Sequence, residues 1–279
     1  MTIEYLELNM TQYPDGRSRT IRILLPDNYD RENTLRRYPV LYMHDGQNLF
    51  DAACAAYGAA WEVGDAISNT VRDGYGGVIV VGIDNGPDRF NELCPPWNND
   101  PAEAERARDM LRQLVSHDLP KSAEASGDRY AEFIVSTLKP HIDANYNTLP
   151  DRENTGVGGS SMGGLQSLYM GLEYKDAFSY AICFSPALLV IGDENAGKAF
   201  DNIDLSNPSA LPKLYFYCGG GDDLERAFIP GCEFAAHELI KCGYPNEKIT
   251  VRLDYEQPHN ESAWAKHFPE AFRWAVGFS

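Results

Sequence analysis

The chain has 279 residues, 43% of them apolar, enough to bury a sizeable core in one large domain or two small ones. Its 24 basic and 41 acidic residues leave a net charge of −17 with no Lys/Arg cluster. That excludes a nucleic-acid binder, which must displace counterions with a basic face, and disfavours anionic membranes and polyanionic substrates. No apolar run approaches the ~18 residues of a membrane span, and Met1-Thr2-Ile3-Glu4-Tyr5 has neither region of a signal peptide. A cytoplasmic location is the expectation, although a secreted chain trimmed of its leader would look the same. The six cysteines contain no C-x-x-C pair and are expected to be free and mostly buried, with a Cys232–Cys242 disulfide as the lesser alternative.

In chain order, strand and helix signals alternate. Ile21, Ile23 and Leu25 mark a half-exposed strand. Val40–Met43 and Val78–Val81 are short continuous apolar runs, as parallel strands covered on both faces require. Residues 85–127 then interrupt the alternation, containing Pro87, Pro95, Pro96 and Pro101 and a short helix opened by Asp100-Pro101-Ala102-Glu103. An insertion of this length suggests a lid or a pocket wall, or else a cover packed away from any site. Tyr130, Phe133, Ile134, Leu138 and Ile142 repeat at helical spacing after Asp128, a suitable N-cap. Met162, Leu165, Leu168, Tyr169 and Leu172 do the same. After a smaller excursion at 186–210, Leu214–Tyr217 is another buried run, and Ile249–Tyr255 alternates like a sheet edge. Trp264, Phe268, Phe272 and Val276 make a last helix that Pro269 would kink or split. The pattern predicts a single α/β domain over 1–279, its sheet mainly parallel with helices on both faces.

The chemistry centres on Gly159-Ser160-Ser161-Met162-Gly163-Gly164, which fits G-x-S-x-G with Ser161 as the nucleophile. The motif demands a sharp turn between a strand and a helix, with no bulky side chain two residues to either side of the serine. A strand end at 155–158 and the helix after Met162 supply that context; alone, the motif would also suit a Gly/Ser-rich surface loop. A serine hydroxyl needs a base, and the base needs an acid to fix its tautomer. The loops after later strands offer both: Gly219-Gly220-Gly221-Asp222-Asp223 carries the acid, and His259 follows the Ile249–Tyr255 strand. The other histidines, His117, His141, His237 and His267, read as structural or solvated. No histidine pair has zinc-site spacing, so no metal and no cofactor is expected.

At this point the sequence resembles a known family. Tyr38-Pro39-Val40-Leu41-Tyr42-Met43-His44-Asp45-Gly46-Gln47-Asn48-Leu49-Phe50, the Ser161 motif and His259-Asn260-Glu261-Ser262-Ala263-Trp264 are similar to segments of the Putative esterase family of α/β-hydrolases. That family includes esterase D, the antigen 85 mycolyltransferases, enterobactin esterases, and the feruloyl and acetyl-xylan esterases of carbohydrate esterase family 1. The resemblance spans roughly residues 15–279. It implies Ser161 as nucleophile, His259 as base, Asp222 as acid, and an oxyanion hole made by the backbone N–H groups of Met162 and Gln47. Leu165 stands where esterase D proteins commonly carry His, which disfavours S-formylglutathione hydrolysis. The net charge is a poor start for an anionic siderophore.

The expected activity is that of a serine carboxylesterase working through an acyl-enzyme, on acetyl or feruloyl esters of plant-polysaccharide fragments. Its partner would be a small-molecule or oligosaccharide ester, with no nucleic acid and no membrane. Acyl transfer within the same family, and a non-catalytic binder on this scaffold, are the alternatives. Within the 85–127 insertion, Arg89 and Glu92 are spaced to pair and brace the loop, presenting Trp97 to the cleft. Trp97 could instead pack beneath its own loop.

Overall fold

Which apolar runs are covered on both faces decides the order of the sheet. The structure, a computed structural model, describes residues 1–27, 29–55, 58–97, 101–114 and 125–278. Strands β1 (Thr2–Asn9), β2 (Ser18–Leu25), β3 (Val40–His44), β4 (Ile79–Ile83), β5 (Thr155–Ser160), β6 (Tyr180–Phe184), β7 (Lys213–Gly219) and β8 (Ile249–Asp254) pair in the order β1-β2-β4-β3-β5-β6-β7-β8. β1 and β2 are antiparallel to their neighbours, and β4 through β8 run parallel. The runs read as buried strands form the centre, and Ile249–Asp254 is an edge, as the sequence implies. β1 is additional: its residues are at most half-buried, so its alternation is a weak signal.

Side-chain alternation along the strands divides the core. Val40, Tyr42, Ile79, Val81 and Val157 face one side of the sheet, while Leu41, Met43, Val80, Ile182 and Phe184 face the other. The helices are α1 (Val63–Arg72), α2 (Arg89–Glu92), α3 (Pro101–Leu114), α4 (Gly127–Phe133), α5 (Lys139–Asn145), α6 (Met162–Glu173), α7 (Asp193–Asp201), α8 (Asp223–Cys242) and α9 (Glu261–Val276). Helices α4, α5, α6 and α8 cover the first face, and α1 and α9 cover the second. This is the α/β-hydrolase arrangement.

Local details amend the sequence reading. Helix α4 begins two residues early, with Ser126 as N-cap and Asp128 in its first turn, where a carboxylate suits the helix dipole. Residues 134–138 widen into a π-helix just before Pro140, which has no N–H to give and would crowd the preceding turn. Pro269 does not split the last helix, and α9 is assigned as one segment through it. All six cysteines are free, with Cys94, Cys183, Cys218 and Cys232 buried. No helix among the described residues is long and apolar enough to cross a membrane.

The 85–127 insertion leaves the carboxyl end of β4. Helix α3 starts at Pro101, as its capping pattern predicts, and packs against α7 and the turn at Leu188–Val190. His117 lies outside the described residues. Glu92 does not pair with Arg89: its carboxylate receives Arg17 at 2.7 Å and Arg19 at 2.6 Å, both from the β2 hairpin. Glu92 is 2% exposed and Arg19 5%, so water cannot replace a lost partner. Glu92→Ala should therefore destabilise the fold by about 3 kcal/mol. Replacing Arg19 and Glu92 together by Met should recover part of that loss. Melting temperatures of the two variants check this.

Candidate active site

Strand β5 ends at Ser160, and Ser161 turns the chain directly into α6 with φ of +58° and ψ of −120°. A non-glycine residue rarely adopts this conformation, and three bonds hold it. Ser161 N–H donates to Phe184 O at 2.9 Å, while Ser161 O accepts from Leu165 N–H at 3.0 Å and Ala187 N–H at 3.1 Å. The motif glycines face each other across the turn: a Cβ on Gly159 would lie 3.0 Å from the Gly163 carbonyl. The sequence requirement is thus a steric one. Met162 is the first residue of α6, so its N–H has no acceptor within the helix.

The histidine expected to serve as base lies on the loop between β8 and α9. His259 presents its ring edgewise between Phe228, at 5.3 Å, and Trp264, at 4.9 Å. Its Nδ1 is 3.1 Å from Glu225 Oε1. This corrects the expectation for Asp222. The Asp222 carboxylate caps α8, with Oδ1 accepting Glu225 N–H at 2.8 Å, and its Oδ2 accepts the backbone N–H of His259 at 2.7 Å. Asp222 therefore holds the histidine's main chain, while Glu225, one turn along the helix, faces the ring. Asp223 is exposed and pairs with Arg226.

Glu225 is fully buried and saturated. Oε1 accepts from His259 Nδ1 and, at 2.6 Å, from the Ser185 hydroxyl; Oε2 accepts from Gly219 N–H at 2.9 Å and the Cys218 thiol at 3.0 Å. Burial alone would raise its pKa, but His259, Cys218 and Ser185 outweigh it and hold the carboxyl below the ordinary glutamate value. An ionised carboxylate can only accept, so Nδ1 of His259 is the donor in this pair and Nε2 is the ring nitrogen on the other edge.

The facing loop follows β3. Asp45 adopts a left-handed conformation, φ +56°, and opens a 3-10 turn at Gly46–Asn48. Gly46 is required here, because a Cβ would lie 2.7 Å from the backbone of β4. Gln47 N–H precedes the first bond of the turn, which runs from Asn48 N–H to Asp45 O at 2.9 Å, and so remains available to a ligand. Beneath it, Arg89 grips Asp45 through two bonds of 2.5 and 2.7 Å, and Asn85 adds a third at 3.0 Å. Burial pushes the Asp45 pKa up; the Arg89 charge and these bonds more than offset it and leave it lowered.

The model of the esterase family described as "Putative esterase" matches residues 13–275. The chain belongs to that family. This esterase is 21% identical, over 87% of its length, to an endo-1,4-beta-xylanase/feruloyl esterase of Xylanibacter ruminicola, matching 29% of that longer protein. It is 25% identical to an acetyl esterase of Caldicellulosiruptor saccharolyticus over 54% of this chain and 65% of the relative. Siderophore hydrolase EstA from Aspergillus nidulans superposes with a TM-score of 0.66 at 18% identity, over 94% of this chain and 92% of that one, a likeness of fold. The protein is a carboxylic ester hydrolase.

The structure assembles only part of the expected site. Ser161, Met162, Gln47 and His259 all follow strand ends at the carboxyl edge of the parallel sheet, where ligands bind in such folds. Trp97 does not face that cleft: it is 6% exposed, packed edge-on against Tyr169 and Phe200, with its indole N–H on Glu173 at 3.4 Å. Tyr169 and Glu173 lie toward the far end of α6 and Phe200 lies on α7, so Trp97 belongs to the core. Arg89 braces the Gln47 turn through Asp45 rather than pairing with Glu92. The missed residue is Glu225. Its signal was in plain view, because Asp222-Asp223-Leu224-Glu225 is a helix-capping pattern. An N-cap claims the aspartate and leaves the glutamate one turn further on.

His44, just before Asp45, is 1% exposed, and burial pushes its pKa down from 6.5 to about 4. The folded imidazole refuses a proton that the unfolded chain accepts, so its contribution is intact above pH 6.5 and is lost as pH falls toward 4. The loss should be on the order of 3 kcal/mol. His44→Gln should flatten the stability profile over that window, as read from urea midpoints at successive pH values.

Proposed function

We propose that this esterase is a serine hydrolase acting through an acyl-enzyme. The observation that carries the reading is the conjunction of a strained Ser161 at the β5–α6 turn with His259 oriented by a buried, ionised Glu225. His259 Nε2 takes the proton of the Ser161 hydroxyl as Oγ bonds to the ester carbonyl carbon. The carbonyl oxygen gathers negative charge and accepts the N–H groups of Met162 and Gln47. Glu225 stabilises the imidazolium. As the tetrahedral species collapses, the C–O bond to the alcohol breaks and His259 returns the proton to the leaving oxygen. Water then repeats the attack on the acyl-enzyme, with His259 again as base, releasing the acid and restoring Ser161.

For the substrate we propose an acetyl or feruloyl ester of a plant-polysaccharide fragment. Support comes from the feruloyl and acetyl esterase relatives and from a net charge of −17, which suits a neutral ester better than an anionic one. The protein is read as one domain over 1–279, with the 85–127 insertion as part of its cover.

Ser161→Ala and His259→Ala should each abolish turnover of p-nitrophenyl acetate, and the double variant should be hardly worse than either. A fluorophosphonate probe should label Ser161 in the unaltered protein only. Glu225→Gln should cost on the order of 10⁴ in kcat, by analogy with loss of the acid in a well-studied protease. Asp222→Asn should cost far less and lower the melting temperature, because an amide has one acceptor oxygen and can no longer hold both Glu225 N–H and His259 N–H. Substantial activity in a folded Ser161→Ala protein would overturn the reading. Across methyl ferulate, an acetylated xylo-oligosaccharide and a catecholate trilactone, the highest kcat/KM should fall on one of the first two.

A further inference from the structure

We propose that Ser185 and Trp264 form a positioning relay that sets the carboxylate of Glu225 for His259. The inference rests on the reading of Glu225 as the acid of the site. Ser185 follows the last residue of β6 and is held at φ of +41°, a conformation that non-glycine residues rarely adopt. Its N–H donates to Tyr217 O on β7 at 2.6 Å, which pins this conformation against the neighbouring strand. Backbone strain of this kind persists only where the surroundings over-determine it.

The hydroxyl of Ser185 has two partners of opposite sense. It accepts from Trp264 Nε1–H at 3.1 Å and donates to Glu225 Oε1 at 2.6 Å. An indole N–H can only donate, so the Ser185 proton is turned toward the one strong acceptor beside it. Trp264 thereby sets the hydroxyl rotor, and the rotor ends on the oxygen that also receives His259 Nδ1. The indole simultaneously meets the His259 ring edge-on. One side chain thus touches the base directly and reaches the acid through Ser185. Ser185 and Glu225 are fully buried and Trp264 is 4% exposed, so water cannot stand in for a deleted partner. A donor fixed before substrate arrives needs no reorganisation as the imidazolium forms.

The test uses Ser185→Ala, which removes the donor and keeps the size, and Trp264→Phe, which keeps a ring and removes the N–H. With p-nitrophenyl acetate, Ser185→Ala should lower kcat about 10- to 100-fold, the scale of a hydrogen bond to a charged group, with KM little changed. Trp264→Phe should lower kcat by a smaller factor, and that factor should vanish when Ser185 is already Ala. In a Glu225→Gln background, Ser185→Ala should cost nothing further. Melting temperatures measured alongside identify a variant that merely fails to fold. The relay is overturned if folded Ser185→Ala keeps its kcat while Glu225→Gln is crippled, or if Ser185→Ala costs as much with Gln at 225 as with Glu. Full activity in Glu225→Gln would overturn the relay and the acid assignment together.

Discussion

A fully buried carboxylate, Glu225, holds the base side of this esterase together. Its four donors come from three places in the chain: Cys218 and Gly219 at the end of β7, Ser185 just after β6, and His259 in the loop before α9. A buried charge is costly unless every lone pair is used, and here each is. The arrangement therefore constrains everything around it. Helix α8 must begin where its first turn can deliver residue 225, β6 must end in an unfavourable backbone conformation, and the β8–α9 loop must return to the same point. Asp222 contributes from outside the ring by joining the helix start to the main chain of His259.

The opposite side of the cleft repeats the device with a different pair. Asp45 is also buried and also held in its ionised form, here by Arg89 and Asn85. The chain needs Asp45 to turn left-handed into the Gly46–Asn48 turn, and Arg89 fixes the result from the insertion. Arg89 is therefore tied to function through the turn that offers the Gln47 N–H, which is a closer connection than the brace within its own loop that its spacing suggested. Glu92, three residues on, serves a purely structural end by fastening the insertion to the β2 hairpin.

What the sequence made legible divides along physical lines. Local constraints could be read directly: the glycines flanking Ser161, the apolar runs of the central strands, the proline at which α3 starts. These depend on sterics and periodicity within a few residues. Partners chosen across the fold could not be read. Asp222 and Glu225 are both acids near a strand end, and which one meets an imidazole 34 residues later depends on how α8 is set against β7. Trp97 is the same kind of case. An aromatic residue in an inserted loop serves a cleft or a core equally well in sequence, and only the positions of Tyr169 and Phe200 decide for the core. Ser185 gives no signal at all, since its importance lies in a dihedral angle and in a tryptophan 79 residues away.

In the proposed mechanism the two sides must also keep their distance from each other, because an oxyanion hole displaced by about an ångström from its nucleophile and base loses much of its effect. One interaction links them directly. Asn48 closes the turn that exposes Gln47, and its side-chain amide donates to Glu261 Oε1 at 2.9 Å; Glu261 is the first residue of α9, two beyond His259. Glu261 is 2% exposed, and its other oxygen has no partner in the structure. Burial first, and then the nearby Asp45 charge, push its pKa up. Its situation is the reverse of that of Glu225: a carboxyl with one bond is displaced toward its neutral form, while a carboxyl with four is held as an anion. Hydrogen-bond count at two buried glutamates thus separates the one that stabilises charge from the one that ties the loops together.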